Sequence, residues 1–496
     1  MDARCLKIID IFRLPQIVFI YVVMATKTAK QKLRNYSRYL GFTLDIYRDA
    51  LSFANKVVYA EWPSIEMLPH CKTRINHVED LIHATATNIC PQYAEFDRDF
   101  YKFPSYLRRA VISKAIGHVS SHFSAVKNWE AEPSGDKPAF QQQCDSFPVF
   151  YKGNMSKWIE NGKIKLKLFT GKDWIWFILP FEPINVNKRF PIAEGWIRQN
   201  PMLVQRGRHW QIHFPFEKKT KLPDKDFKRP VLSIDLGINC TATASVMASD
   251  GTVLHRAFID YGREKDPLKT TIGRIAVKST QTWLIPEGEP YCRNLWDDVR
   301  HLTDEIAHQC SAALVKLALA YNCQAIVFEH LGKLKVPKGV YGAARRRRKF
   351  HYWLQGRIQK YTTYKAHAEG IRISRVLARG TSANAFDGSD KVWRLGNKQI
   401  ALFRNEKTYN CDLCASYNIG ARYWIREIVD HSKSLAGNSK VAKRGQMPDL
   451  VARHEQTLAS LISLVQFVPP GDSTSPMPYS GQGSSSSEET ATIAAA

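Results

Sequence analysis

Acidic side chains are scarce in this chain. Its 496 residues carry 46 Asp and Glu against 71 Lys and Arg, a net charge of +25. That imbalance excludes an acidic solvating chain and points to a polyanionic partner. Long apolar runs are missing too. Leu14 to Met24 is too short to span a bilayer, and nothing else is a transmembrane candidate. It follows Arg4, Lys7 and Arg13 as a signal-peptide core would, yet no A-x-A-like site comes after it and Lys27, Lys30, Lys32 and Arg34 do. We read it as a buried first strand or an N-terminal extension, with Met24 an alternative start. The ten cysteines are scattered and make no disulfide framework at this chain length. A reducing compartment is expected, the cytoplasm of a bacterial or archaeal cell. There is no H-E-x-x-H, no Walker A and no G-x-S-x-G, and G-x-G occurs only near the C-terminus. Zincin, P-loop and α/β-hydrolase chemistries are thereby disfavoured.

What is present is an ordinary core: 44% apolar and 24% charged residues suit roughly three globular domains. From about Thr28 to Trp129 the pattern reads helical. Leu40, Leu44, Tyr47, Leu51 and Ala54 recur at helical steps, as do Leu107, Val111, Ala115 and Val119 after Pro104. Beyond Pro133 the period changes to two. Ile164, Leu166 and Leu168 alternate with lysines, Trp174 to Leu179 reads as a buried strand, and Trp210, Ile212, Phe214 and Phe216 alternate again. From Arg229 onward strands are expected at 231–236, 241–247, 253–259, 324–328 and 371–377. A long helix carries Val299, Ile306, Leu314 and Leu317, and another spans Ala415 to Ile428. The fold class is α/β multidomain. The Ser-, Gly- and Pro-rich end from about residue 469 reads as disordered.

Three acids share an address. Asp235 and Glu329 end apolar strands, and Asp412 precedes a helix, where alone it would serve as an N-cap. Carboxylates at core strand ends are costly unless hydrated, paired or bound to a cation, and three together repel. A divalent ion offsets that repulsion, and hard oxygen ligands suit Mg²⁺ or Mn²⁺. Two such ions ~3.5–4 Å apart activate a water and stabilise the leaving oxygen of a phosphodiester. In a basic protein this reads as a nuclease.

At these residues the chain resembles a known family. Ile234-Asp235-Leu236-Gly237-Ile238-Asn239 with Thr241-Ala242-Thr243-Ala244-Ser245 looks like the first RuvC motif of the TnpB family, relatives of the compact type V CRISPR effectors. Ile326-Val327-Phe328-Glu329-His330-Leu331 resembles the second motif. Tyr409-Asn410-Cys411-Asp412-Leu413-Cys414-Ala415-Ser416-Tyr417-Asn418-Ile419-Gly420 resembles the third, with Tyr364-Lys365-Ala366 and Thr381-Ser382 between them. The resemblance covers roughly residues 228–428. It implies a ribonuclease-H-like (RuvC) domain with Asp235, Glu329 and Asp412 as catalytic metal ligands, in an RNA-guided DNA endonuclease. Guide RNA and target DNA are the implied partners, with no membrane and no small-molecule cofactor. The expected domains are an extension or strand at 1–27, a helical recognition lobe at 28–132, a β-barrel-like wedge at 133–227, the nuclease at 228–428 and a C-terminal extension at 429–496. The two rival readings are a catalytically weak RNA-guided DNA binder and an unguided ribonuclease-H-like nuclease or transposase.

Many family members carry a zinc ribbon between the second and third motifs. Here, over residues 379–410, the first Cys pair is absent, and Cys411 and Cys414 make a lone C-x-x-C around Asp412. A four-ligand site needs two more donors, so no zinc is expected. Cys414 stands where the family usually has Asn. The run Arg345, Arg346, Arg347, Arg348 and Lys349 is a candidate phosphate contact, with a solvated loop or a nuclear-localisation signal fitting the same letters.

Overall fold

The computed structural model describes residues 22–34, 37–133, 135–160, 162–183, 194–237, 240–281, 291–330, 354–394, 399–436 and 452–467. The chain forms two compact units: Thr26–Lys218, and Lys219–Ala496 together with Met1–Ala25.

The first unit begins with a correction. Where the sequence pattern reads helix from Thr28, the chain forms strand β1 (Val22–Lys32). The buried residues Ala25, Ala29 and Leu33 are four apart, a spacing that satisfies a helix turn and also two periods of a strand. Helix begins at α1 (Arg38–Ala60), whose N-cap Ser37 accepts from the Tyr39 N–H. After α2 (Trp62–Glu66), α3 (Cys71–Ile82) and α4 (Glu95–Asp99) comes α5 (Ser105–Ala131), opening after Pro104. α1 and α5 pack together, and their apolar stripes, with Leu44, Leu51, Val111 and Ala115, are buried.

The β-rich part holds two sheets. β2 (Ser156–Glu160), β3 (Lys163–Phe169) and β4 (Trp174–Pro180) form one antiparallel sheet. β5 (Trp196–Arg198), β6 (Met202–Arg206) and β7 (His209–Lys221) form the other with β1. Among the described residues one bridge, Leu33 to Phe181, connects them. Among the described residues neither sheet closes on itself, so the expected barrel is not shown. β4 is also less buried than its apolar letters imply: Ile175 is 50% and Ile178 57% exposed. The face that carries Ile178 is the one on which β3 carries Lys163, Lys165 and Lys167, because Lys165 pairs with Ile178 and Lys167 with Trp176.

The second unit is built on a five-stranded sheet, in order β10-β9-β8-β11-β12. β8 (Val231–Asp235), β9 (Ala242–Met247) and β10 (Val253–Ile259) are an antiparallel meander, while β11 (Ala325–His330) and β12 (Arg372–Leu377) run parallel to β8. One face, with Leu232, Ile234, Ile326 and Phe328, packs on α6 (Gly262–Gln281), α7 (Arg293–Ala320) and α8 (Gln355–Ala368). The other, with Val231, Ala325 and Val327, packs on α9 (Cys411–Ala436) and α10 (Leu458–Phe467). Between β12 and α9 lies a small sheet of β13 (Trp393–Arg394), β14 (Ile400–Leu402) and β15 (Thr408–Asn410). The sequence pattern showed neither this sheet nor α10. The outer edge of β12 is covered by arginines from α9. Arg426 donates to the Arg375 carbonyl at 3.1 Å and Arg422 to the Leu377 carbonyl at 2.6 Å.

Candidate active site at the carboxylate edge

Parallel pairing sets the first two acids side by side. Phe328 is in register with Ile234, so one further step along both strands brings Glu329 level with Asp235. Side chains alternate across a strand, so both carboxylates emerge on the face that packs against α9. Asp412 arrives from the first turn of α9. That helix starts earlier than the sequence pattern has it, and Asp412 does not cap it. Asn410 does: its Oδ1 accepts from the backbone N–H of Asp412 at 2.9 Å and of Leu413 at 3.0 Å. The Asp412 carboxylate reaches the exit of β8, where a Cβ on Gly237 would stand 3.8 Å from Asp412 Oδ2.

The depth of α9 on the sheet is set by Gly420. A Cβ there would lie 2.9 Å from Met247 Sδ and 3.0 Å from Ser233 Oγ, closer than a side chain tolerates. Further anchoring comes from Asn418, which donates at 2.9 Å to the carbonyls of Thr381 and Asn384. Cys414 is buried and turns its thiol to the Asn384 carbonyl. Cys411 and Cys414 lie in a small apolar cluster with Ala385, Ala401 and Phe403, and burial pushes the Cys414 thiol up to about 12.

The electrostatics tie the three acids into one site. Burial, then the Glu329 and Asp412 charges, hold the Asp235 carboxyl well above its ordinary range. Burial also raises Glu329, opposed by a hydrogen bond from Thr381 Oγ1 to Glu329 Oε1 and by the Arg422 charge. Asp412 is raised by burial and lowered by Arg394. Arg394, on β13, is the cation that both aspartates feel, and nothing in the linear sequence singles it out. Arg422 is buried and donates to four backbone carbonyls, those of Leu377, Arg379, His454 and Gln456. Gly380, at φ +83, lets this corner close. A Cβ there would strike the His454 carbonyl oxygen at 2.1 Å.

Three carboxylates each raised by burial, one of them also by the other two, are a donor set short of positive charge, and they fit a hard divalent cation in chemistry. Among the described residues no three His, Cys, Asp or Glu side chains stand in ligating reach of one point, and Thr381 holds one oxygen of Glu329. His330, next to Glu329, is an exposed strand-end residue. The run Arg345–Lys349 lies outside the described residues, as do Ile238, Asn239 and the C-terminal tail from 468.

In the first unit a second surface is marked by lysines around an aromatic ring. Lys157 and Lys165 place their Nζ atoms 5.2 and 5.8 Å from the Trp176 ring. Together with Lys163 and Lys167 they make a basic face around an aromatic. Among the described residues no helix is long and apolar enough to cross a membrane.

A protein-family profile described as the Aq_aa04 family matches residues 27–170. No curated protein matches the chain by sequence. Several solved structures share part of its trace. A Cas12f1–sgRNA–target DNA complex matches at 13% identity and TM-score 0.28, over 80% of this chain and 98% of that one. The C2c1 of Alicyclobacillus acidoterrestris with single-guide RNA matches at 9% and 0.42, over 79% and 68%. The mini-RNA-guided endonuclease CRISPR-Cas_phi3 matches at 11% and 0.40, over 81% and 92%.

Proposed function

We propose that this chain is an RNA-guided DNA endonuclease that hydrolyses phosphodiesters with a divalent metal at a RuvC-like site. The observation that carries the reading is the convergence of Asp235, Glu329 and Asp412, from three separate elements, on one sheet edge where Asp235 feels both other charges. A meander of three antiparallel strands followed by two parallel ones is the ribonuclease-H arrangement and supports the fold the motifs imply. In this reading Asp235, Glu329 and Asp412 would hold Mg²⁺ or Mn²⁺. Bound there, the ions supply an activated water and stabilise the leaving oxygen. Thr381 orients Glu329. Arg394, exposed and felt by both aspartates, offsets the negative edge and suits contact with a phosphodiester there.

The guided part of the proposal rests on the motif resemblance and on charge. A net +25 suits a protein that holds two polyanions at once, guide RNA and target DNA. The lysine face around Trp176 is a fitting surface for the RNA backbone, with the ring available for stacking. The cytoplasm is the compartment this implies.

The test is to express the chain with its native flanking DNA and sequence the RNA that purifies with it. A discrete RNA with a constant part and one variable end is the expected result, and DNA matching that end should be cut only with Mg²⁺. Random RNA, or cutting that persists after RNA is removed, would sink the guided reading and leave an unguided nuclease. A second reading has one observation in its favour. Because Thr381 occupies Glu329 and the acids are not drawn onto one point, a guided DNA binder with weak cleavage fits as well. It predicts tight, guide-dependent DNA binding with little product.

A further inference from the structure

The side of α5 turned away from its buried stripe carries Ala110, Ser113, Gly117 and Ser121, small residues three and four apart. They floor a pocket of about 600 Å³, a volume that suits a small molecule. Its other walls are Tyr47 of α1, residues of the segment 145–151 and Met202 of β6. All of them belong to the first unit. A Cβ on Gly117 would meet no atom within 4 Å, so the space reaches the helix backbone.

Room alone attracts no ligand, but unsatisfied polar groups do. Tyr47 is 2% exposed, and its hydroxyl has no hydrogen-bond partner among the described residues. A buried hydroxyl left so is costly until something pairs with it. Tyr47 feels Tyr151 and Cys144, so the two phenols stand near each other. Ser113, Lys114 and the Tyr151 hydroxyl also lack side-chain partners among the described residues. His118 adds an acceptor. Asn55 Nδ2 donates to the Gln142 carbonyl at 2.7 Å, so Asn55 Oδ1 faces His118 Nδ1 at 3.4 Å and accepts from it. Burial and Lys114 hold the imidazole below its ordinary range, which leaves Nε2 of a neutral ring to accept. Charge in the pocket is simple. Asp145 is paired with Arg48 at 3.2 Å, so the exposed Lys114 is the cation open to a ligand. Phe147, Val149 and Met202 supply an apolar wall.

We propose that this pocket takes one nucleotide, its base edge on the Tyr47, Tyr151 and Ser113 hydroxyls and its phosphate on Lys114. Hydroxyls both donate and accept, which suits the mixed edge of a base, and a single lysine suits a single phosphate. The small residues of α5 admit a flat ring against the helix. A free mononucleotide and a nucleotide extruded from a strand present the same chemistry. The site lies in the first unit and the carboxylate edge in the second, so its occupancy does not depend on whether that edge cuts DNA.

The test is titration calorimetry on the full chain with AMP, adenosine and ribose 5-phosphate. AMP should bind saturably, with ribose 5-phosphate at least about tenfold weaker. Gly117→Leu fills the pocket from a helix position with open space, and should weaken AMP by about tenfold or more at an unchanged or higher thermal midpoint. Lys114→Gln should weaken AMP several-fold and leave adenosine unchanged. Tyr47→Phe removes only the unpaired hydroxyl. It should weaken both AMP and adenosine without lowering the midpoint, which a merely structural tyrosine would not do. Absence of saturation, ribose 5-phosphate as tight as AMP, or AMP binding that ignores Gly117→Leu would each overturn the proposal. A single-stranded hexanucleotide then separates the sources. Displacement of AMP by it identifies an extruded strand nucleotide, and failure to displace identifies the free one. A chain that takes AMP and binds no oligonucleotide would keep this pocket while the guided-nuclease reading fell.

Discussion

On one face of the five-stranded sheet, β8 and β11 present Leu232, Ile234, Ile326 and Phe328 to three helices. On the other, the same two strands present Ser233, Asp235 and Glu329 beside α9. The difference lies in what each face does with the alternation of a strand. The first spends every position on burial. The second gives up apolar area near the strand ends and admits mutually repelling charge. It is held by specific contacts instead: the Ser233–Ser245 hydroxyl pair at 2.8 Å, the close approach at Gly420, and the amide of Asn418. Stability and chemistry are thus assigned to opposite sides of one layer.

Substitutions on the two faces should separate those roles. Asp235→Ala should lower Mg²⁺-dependent cleavage by about 10³-fold or more while the circular dichroism spectrum stays native. Residual cutting near the wild-type rate would remove the acid trio from the mechanism. On the apolar face, Phe328→Ala should cost about 3–5 kcal/mol in urea unfolding. A loss under 1 kcal/mol would mean that this face is not the core. Gly420→Ala should bridge the two behaviours, destabilising by about 1–3 kcal/mol and also cutting activity, because α9 must lift off the sheet and carry Asp412 with it. Unchanged stability would show that Met247 yields freely. Thr381→Val should change cleavage by about tenfold at near-constant stability. A rise favours Thr381 as a restraint on weak cutting, a fall its role in orienting Glu329, and no change rules out both. The smallest effect is expected from Asp235→Asn without divalent metal. Removing one of three repelling charges should raise the thermal midpoint by a few degrees, and Mg²⁺ should stabilise the wild type but not the variant. A lowered midpoint would mean that the carboxylates do not strain the fold.

Much of this sheet is legible in the sequence. β8, β9, β10 and β11 coincide with apolar runs to within a residue or two, because buried central strands write themselves as Val, Ile, Leu and Ala. The three acids stand out for the opposite reason, as charges where those runs end. What escapes are features without a period. β1 hides behind a four-residue spacing that two conformations share. β13 and β14 are too short to alternate, so Arg394 goes unnoticed. The cap of α9 is misplaced because Asn410 and Asp412 are both plausible cap letters, and only the hydrogen bonds separate them. Whether the sheets of the first unit close is not legible either, because alternation reports burial on one face and says nothing of closure.

The arginines that cover β12 have a consequence beyond their own helix. An edge strand with bare carbonyls is a template onto which the same edge of another molecule can zip. Here the carbonyls of Arg375 and Leu377 are already taken by guanidinium groups, and a second copy approaching that side would meet like charge in place of open hydrogen-bond partners. A sheet that stops growing at its own edge leaves no side on which chains could polymerise through β12.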